Sequence, residues 1–283
     1  MSNDKIKRGY LKSDFEYFHL KDQRSMEFEY HYHEFNKIIF FITGNVKYLI
    51  EGKVYKLRPW DILFVNSNDV HMPVIDTSVP YERIIIWVNN DFLENHSSPD
   101  CRLLQCFDLS SAHRMNLLRT NPSNITELRE TLLLIEAEAA QPVYGSRIMK
   151  NSLFLRLIVL LNRHYLGSDN NMVKKDIKHD KTIDSIINHI NDNLQEDLSI
   201  EKLASKFYMS KYNLMHKFKL QTGFTIHSYI LQKRLYLANT LIRNGSQIFE
   251  ACMECGFGDY TSFVKAFKKV FGVSPREYHK APK

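Results

Sequence analysis

The sequence predicts an α+β fold in which an N-terminal β-barrel is followed by two helices and then by an all-α domain. Three observations support this prediction. Short runs rich in aromatic and β-branched residues fill roughly residues 10–90, a helical spacing of apolar residues begins near residue 124, and one helical layout occurs twice near the C-terminus. The 283 residues are 44% hydrophobic and 25% charged, which is ordinary globular composition and sufficient length for about two domains.

The N-terminal strands are predicted from composition and punctuation. The segments "HYHEFNKIIFFITG", "NVKYLIEGKVYKL", "DILFVNSNDVHMPV" and "YERIIIWVN" are separated by Gly44, Gly52, Pro59 and Pro73. Short strands at such regular spacing are typical of a barrel or a sandwich, and we predict a barrel.

Two amphipathic helices are predicted in residues 124–166. Apolar residues recur at i, i+3, i+4 and i+7 in "NITELRETLLLIEAEA" and "SRIMKNSLFLRLIVLLNRHYL". An apolar stripe of the second helix consists of Leu153, Leu157, Leu160 and Leu161. We interpret this stripe as the seal of a homodimer, with packing into the protein's own core as the alternative.

A polar, charged segment without periodic apolar positions divides the chain at residues 166–180, as expected of a linker. We therefore predict domains at 1–165 and 181–283. Residues 1–180 contain 23 Lys and Arg and 23 Asp and Glu, whereas residues 181–283 contain 15 against 9. The positive charge thus lies entirely in the C-terminal domain, which is expected of a domain that binds a polyanion.

The helical layout that begins at residue 210 begins again 49 residues later. In each copy a helix-capping residue is followed by core residues at +4 and +8 and by a glycine at +13. These residues are Ser210, Leu214, Phe218 and Gly223 in the first copy, and Asp259, Phe263, Phe267 and Gly272 in the second. The opposite face of each helix is aromatic, polar and basic.

A shorter helix precedes each copy. "SIEKLASKF" has Ser199 as its predicted N-cap and "SQIFEACMEC" has Ser246, and Ala204 and Ala251 allow close helix approach. A short helix, a tight turn and a second helix form the helix-turn-helix plan, whose second helix enters the major groove of DNA. "FTIHSYILQKRLYLANTLIRNG" predicts one long helix between the two units.

The C-terminal ~100 residues resemble the DNA-binding domain of AraC-family transcriptional regulators, whose two helix-turn-helix units lie about 34 Å apart, one groove repeat. "GFGDYTSFVKAFKKVFGVSPREY" follows the signature of the second unit almost throughout, including Gly256-Phe257, Gly272, Pro275 and Tyr278. His279 stands where arginine is common in the family.

The resemblance implies two sets of DNA contacts. Base contacts are implied for Tyr212, Met215, His216, Tyr260, Thr261, Val264 and Lys265. Phosphate contacts are assigned to Lys211, Lys217, Lys219, Lys268 and Lys269, for which a merely solvated helix face is the alternative. The base-reading set has neither Arg nor Asn or Gln, so we expect A·T-rich operators.

The N-terminal half is similar to the cupin-like sensor domain of many AraC regulators. The similarity is carried by the His-x-His at His31 and His33, Gly44 at a hairpin, a Pro-x-Asp turn and a late His71. In metal-binding cupins such histidines act with a Glu, but the corresponding position here is Lys37 or Ile38, so we predict no metal. The alternative is a three-histidine site formed by His31, His33 and His71.

The fold class predicted with the resemblance is α+β: a cupin-like barrel with two helices, then an all-α domain with two helix-turn-helix units. Effector-binding residues are assigned as His31, His33, His71 and Trp87. A carbohydrate is the first candidate effector, because aromatic residues such as Tyr30, Tyr32 and Trp87 suit stacking on sugar faces.

The sequence therefore predicts a cytoplasmic, ligand-responsive transcriptional regulator that is not an enzyme. Its expected partners are promoter DNA, a small effector, a second copy through helices in 124–166 and, for an activator, RNA polymerase. We expect neither a cofactor nor a membrane span. Cys252 and Cys255 form a C-x-x-C spacing that we interpret as core packing. The alternative functions are a metal-binding cupin protein or enzyme with an accessory helical domain, and a non-specific DNA binder.

Overall fold

A computed structural model describes residues 11, 13–23, 30–113, 115–140, 143–168 and 177–280. By their contacts these residues divide into two compact units, which are treated separately. The described residues of 8–50 and 54–178 form the N-terminal unit, and residues 179–280 with 51–53 form the C-terminal unit. The N-terminal unit combines antiparallel sheets with helices, and the C-terminal unit is helical, which confirms the predicted α+β class.

The strands form two sheets. The strands are β1 (Phe15–Asp22), β2 (Asn36–Thr43), β3 (Asn45–Ile50), β4 (Lys53–Lys56), β5 (Ile62–Val65), β6 (His71–Asp76), β7 (Tyr81–Val88), β8 (Leu117–Leu118) and β9 (Ile177–Lys178). One sheet has the order β1-β7-β2-β5-β8 and the other the order β6-β3-β4-β9. Ile177 and Lys178, which fall in the predicted linker, pair with Tyr55 and Val54.

The predicted barrel is not closed within the described residues, because the strands there belong to two separate sheets. The two faces of β2 show how the layers are built. Ile38 and Phe40 belong to a core shared with helices, whereas Ile39 and Phe41 pack in a second core with residues of β3 and β5. Successive strand residues point to opposite faces, so β2 is apolar on both sides.

Four helices follow β7 in the described N-terminal residues: α1 (Asn90–Asn95), α2 (Gln105–Ala112), α3 (Pro122–Ala140) and α4 (Ser146–Leu166). β8 lies between α2 and α3, and β9 follows α4. The sequence analysis predicted α3 and α4 but not the two shorter helices. The interpretation of the α4 stripe as a dimer seal is wrong for Leu157, Leu160 and Leu161, which are buried in the protein's own core. Leu153 is partly buried and packs against the same core. Among the described helices, none is long and apolar enough to cross a membrane.

The C-terminal unit consists of seven described helices. They are α5 (Lys181–Asp192), α6 (Ile200–Lys206), α7 (Lys211–Thr222), α8 (Ile226–Arg243), α9 (Ile248–Glu254), α10 (Tyr260–Phe271) and α11 (Pro275–Lys280). The pairs α6–α7 and α9–α10 are the two predicted helix-turn-helix units, and α8 is the long helix between them. Ser199 occupies the N-cap position of α6 as predicted, whereas Gln247 and not Ser246 occupies that position of α9, and neither side chain forms a capping hydrogen bond.

The turn of the second unit depends on Gly256. Its φ of +83° lies in the left-handed region, and a Cβ at this position would be 2.3 Å from the carbonyl oxygen of Leu194. Only glycine meets both conditions without strain, so the chain can turn sharply between α9 and α10.

Candidate DNA-reading faces and ligand site

The first candidate DNA-reading face lies on α7. The N–H of Asn213 donates to the Ser210 side chain, which starts the helix, and Gly223 ends it in the left-handed conformation. Leu214 and Phe218 are fully buried and hold one side of the helix against the unit. We define the first reading face as Tyr212, Met215 and His216, which lie on the opposite, exposed side.

The side chains of this face project into solvent. Tyr212 is 77% exposed and Met215 is 45% exposed. The rings of Tyr212 and His216 are nearly parallel, with an interplanar angle of 12° and centroids 6.1 Å apart. A helix with this exposed surface can present aromatic, thioether and imidazole groups to the floor of a groove.

The second candidate DNA-reading face lies on α10. Its N-cap is Asp259, whose carboxylate accepts hydrogen bonds from the N–H groups of Thr261 and Ser262 at 3.2 Å and 2.7 Å. The hydrogen bonds from Ser262 and Thr261 hold the pKa of Asp259 below its usual value. Phe263 and Phe267 are fully buried, as the sequence predicts.

We define the second reading face as Tyr260, Thr261, Val264 and Lys265. Tyr260, Thr261 and Lys265 are exposed, whereas Val264 is half-buried and packs against the core of the unit. Three of these four predicted base-contact residues are thus fully available at the surface. Val264 presents only part of its side chain.

The five lysines assigned to phosphates fall into two groups. Lys211 Nζ lies 2.5 Å from Glu201 Oε1, and Lys217 Nζ lies 3.7 Å from Asp180 Oδ2. Within the described residues, the other three lysines are exposed and form no ion pair. These three are Lys219, Lys268 and Lys269. These three lysines can therefore bind a phosphate without first breaking an ion pair with a carboxylate.

The cysteines of the C-x-x-C spacing belong to the core. Cys252 and Cys255 are fully buried beside Phe263 and Phe267, and both are free thiols. Burial raises the pKa of Cys255 to about 12, so its thiol stays protonated at neutral pH. A protonated thiol in this position packs as a small apolar residue.

The three histidines assigned to the effector come together in the N-terminal unit. The backbones of His31 and His71 exchange hydrogen bonds of 3.1 Å and 2.9 Å, which place their rings with centroids 4.3 Å apart. The ring of His33 lies edge-on to His71 at 4.7 Å. All three are buried. They form what we call the histidine cluster: His31, His33 and His71.

A buried lysine lies against this cluster. Lys37 Nζ is 3.2 Å from Nε2 of His71, while Nδ1 of His71 is 3.0 Å from the Asp69 carbonyl oxygen. Lysine and a ring N–H donate, so His71 carries its proton on Nδ1 and accepts the lysine hydrogen bond at Nε2. Burial, and secondly the charge of Lys37, lower the pKa of both His33 and His71 well below the usual value, which keeps them neutral.

Trp87 joins the histidine cluster through one aromatic neighbour. It is the cross-strand partner of Lys37, and its ring centroid lies 4.6 Å from that of Phe35. The Phe35 ring stacks on His33 at 4.3 Å with an interplanar angle of 7°. The predicted effector residues are therefore contiguous, with Phe35 and Lys37 between them.

The histidine cluster does not fit the metal site of metal-binding cupins. Both nitrogens of His71 are engaged, and the ammonium of Lys37 places a positive charge where a cation would have to bind. Within the part of the chain that the structure describes, no group of three or more His, Cys, Asp or Glu is arranged to hold a metal ion.

Sequence reasoning missed Lys37 and Phe35 as residues of the ligand site. Lys37 is, with Ile38, one of the two positions where the cupin pattern expects a metal-binding Glu, so this departure from the pattern was the available signal. Phe35 lies two residues after His33 in the irregular segment that precedes β2, where strand alternation does not fix the side on which a residue lies. Its stacking on His33 depends on a ring orientation that the sequence does not show.

Comparisons with known proteins agree with this division of the chain. A family model described as an AraC-like ligand binding domain matches residues 16–105, and one described as a helix-turn-helix domain matches residues 203–281. The HTH-type transcriptional activator RhaS of Enterobacter sp. (strain 638) is 26% identical over 253 residues, covering 88% of this chain and 87% of its own length. RhaR of Mannheimia succiniciproducens, also an HTH-type transcriptional activator, is 22% identical over 252 residues, covering 89% and 87%.

Solved structures with detectable similarity align over nearly the whole of this chain or over about a third of it. An apo ToxT variant from Vibrio cholerae aligns over 95% of this chain and 97% of its own, with 14% identity and a TM-score of 0.39. The C-terminal domain of the response regulator yesN from Fusobacterium nucleatum covers 36% of this chain and 100% of its own, with 26% identity and a TM-score of 0.34. The two family models together match more than half of the residues, and the chain belongs to the AraC family of DNA-binding transcriptional regulators.

Proposed function

We propose that this protein is a sequence-specific transcriptional regulator whose DNA binding is controlled by a small effector, a carbohydrate, bound at the histidine cluster. The observation that carries the proposal is the repeated geometry of α7 and α10. Each helix is anchored by two fully buried side chains and turns an aromatic, polar and basic face outward. Two such faces on one chain are suited to reading two stretches of major groove.

The two reading faces supply the base contacts in this proposal. Met215, Val264 and the aromatic rings provide apolar contact for thymine methyl groups, and Lys265 offers a donor to acceptors on a base edge. The faces contain no Arg for bidentate pairing with guanine. We therefore expect operators rich in A·T pairs.

The exposed lysines supply affinity without sequence information. Lys219, Lys268 and Lys269 are exposed on the same helices as the reading faces, where phosphates flank the groove. Lys211 and Lys217 contribute after exchanging a carboxylate partner for a phosphate.

The ligand site is proposed for the interior between the two sheets. The buried histidine cluster combines polar ring nitrogens with the aromatic faces of Phe35 and Trp87. A carbohydrate has hydroxyl groups for the nitrogens and C–H faces for the rings. An effector that binds one arrangement of the chain better than another shifts the population that engages the operator. No catalytic step is assigned to this site.

A homodimer is proposed through the helices of residues 124–166. With the α4 stripe buried in the core, the surface available for a second copy is different from the one predicted. Leu133 and Leu134 of α3 and Ile148 and Met149 of α4 are exposed apolar residues. We propose that a second copy covers them in the cytoplasm, and that the DNA-bound dimer contacts RNA polymerase where it activates transcription.

The experiment that tests the reader is binding of the purified protein to DNA flanking its own gene, at fixed salt and with random competitor. Wild type is compared with a double variant, His216→Ala with Lys265→Ala. Each lost base contact costs about 1–3 kcal/mol, so we expect specific binding to weaken at least tenfold. The matched control is Lys202→Ala with His227→Ala, the same residue types in the same unit outside both reading faces. Equal affinity for operator and random DNA in wild type would contradict the proposal.

A further inference from the structure

The hydrogen bonds around His33 leave one buried nitrogen unused. Nδ1 of His33 lies 2.8 Å from the carbonyl oxygen of Phe35, so this nitrogen carries the proton and donates it. In a neutral ring Nε2 is then an acceptor with a lone pair. His33 is only 1% exposed, and within the described residues its Nε2 has no hydrogen-bond partner.

Such an atom is costly unless a ligand or an ordered water satisfies it. Most buried polar side-chain atoms in proteins have a partner, and an unsatisfied one carries its full desolvation penalty. His71 has the same backbone-facing Nδ1–H, but its Nε2 already accepts from Lys37. Of these two tautomer-fixed rings, His33 alone presents a free acceptor.

The chemistry of the neighbours restricts what can satisfy it. A carboxylate has no proton to donate at neutral pH and would place its oxygens against the lone pair. An ammonium group would donate, but it would be repelled by the ammonium of Lys37, whose charge acts on both His33 and His71. An uncharged hydroxyl group donates without a charge, and it can accept from another donor at the same time.

We infer that Nε2 of His33 accepts a hydrogen bond from a hydroxyl group of an uncharged, polyhydroxylated effector, and that this contact selects such ligands over acids and amines. The inference rests on the proposed effector site. His33 acts here as a specificity-determining residue. The rings of Phe35, which stacks on His33, and of Trp87, which is tilted against Phe35, contribute apolar contact. A buried acceptor discriminates strongly, because an analogue that lacks the hydroxyl leaves the nitrogen unpaired.

The test is calorimetric binding of the full-length protein to a defined panel of probes. The panel contains glucose, galactose, mannose and xylose, all the mono-deoxy forms of each, and the uronic acids of the three hexoses. We expect at least one neutral sugar to bind wild type. One of its deoxy forms and its uronic acid should bind at least about tenfold more weakly.

Two variants separate the hydrogen bond from the shape of the site. His33→Leu removes the acceptor and should weaken the sugar at least about tenfold, whereas the amide of His33→Gln can place an acceptor near the same point and should restore part of the affinity. His164→Leu, at a partly buried histidine of α4 outside the cluster, should bind the sugar as wild type does. Unchanged circular dichroism and thermal unfolding of each variant show that the N-terminal unit is folded, and unchanged operator binding shows the same for the C-terminal unit.

Three outcomes overturn the inference. The first is that no neutral sugar binds wild type. The second is that His33→Leu retains wild-type sugar affinity while folded. The third is that a uronic acid binds more tightly than its neutral sugar. Operator binding is measured on the same samples, so loss of the DNA-reading function would be recognised separately from failure of the hydroxyl contact.

Discussion

Salt dependence offers a quantitative prediction because the structure sorts the basic residues by their partners. Lys219, Lys268 and Lys269 are exposed and form no ion pair within the described residues. If each lysine neutralises one phosphate, each contact contributes about 0.9 to the magnitude of the negative slope of log affinity against log salt concentration. The triple alanine variant should therefore lower the magnitude of that slope by about 2.7.

The two paired lysines should behave differently. Lys211 and Lys217 lie 2.5 Å and 3.7 Å from carboxylate oxygens of Glu201 and Asp180. A lysine that exchanges a carboxylate partner for a phosphate contributes less free energy to DNA binding than a lysine that was only hydrated. Replacing both with alanine should lower the magnitude of the slope by less than about 1.8, the value expected for two lysines without a carboxylate partner.

The assay is fluorescence anisotropy of a labelled operator, titrated at four or five salt concentrations. Lys56→Ala, at an exposed lysine of β4, is the control and should leave the slope unchanged. A triple variant with the wild-type slope would refute the assignment of these lysines to phosphates. A per-lysine change as large for the paired set as for the free set would refute the argument from ion pairs.

Three further results are expected. Phe267→Ala should lower the free energy of unfolding of the C-terminal unit by about 3–5 kcal/mol in urea unfolding followed by circular dichroism, whereas the exposed Phe249→Ala should cost under about 1 kcal/mol; equal losses would contradict the packing. Asp259→Asn keeps a helix cap that does not titrate. Because folding lowers the pKa of Asp259, its carboxylate stabilises the wild type above the ordinary pKa of 3.8, and the wild type should lose stability relative to the variant as the pH falls below 3.8. Unfolding experiments across pH measure this difference, and a constant difference would exclude a role for the carboxylate charge. A thiol reagent should label the exposed Cys101 rapidly and the other three cysteines slowly, and rapid modification of two or more thiols would contradict their burial.

Local sequence signals were sufficient for the helix-turn-helix units. Ser210 and Asp259 cap their helices, and Leu214 and Phe263 are buried, because caps and helical periodicity depend on residues only a few positions apart. The error at Ser246 is a shift of one residue at the start of a short helix. Such boundaries depend on the preceding turn more than on periodicity.

The sheets and the ligand site depended on contacts that the sequence does not show. Strand spacing predicted β-structure, but the division into two sheets depends on pairings between distant segments, such as β1 with β7. The stripe on α4 shows the same limit, because apolar periodicity indicates burial without identifying what covers it. Similarly, Lys37 lies close to His31 and His33 in the sequence, but only the structure shows its ammonium beside Nε2 of His71.

In the proposed function, the two reading faces of one chain engage DNA together. Footprinting on the operator tests it directly, with the intact site compared with one carrying a five-base-pair insertion between the two protected segments. Two units in successive major grooves should protect segments about 10–10.5 base pairs apart, and half a turn of added DNA should abolish simultaneous protection. A single protected segment, or protection that tolerates the insertion, would contradict the account.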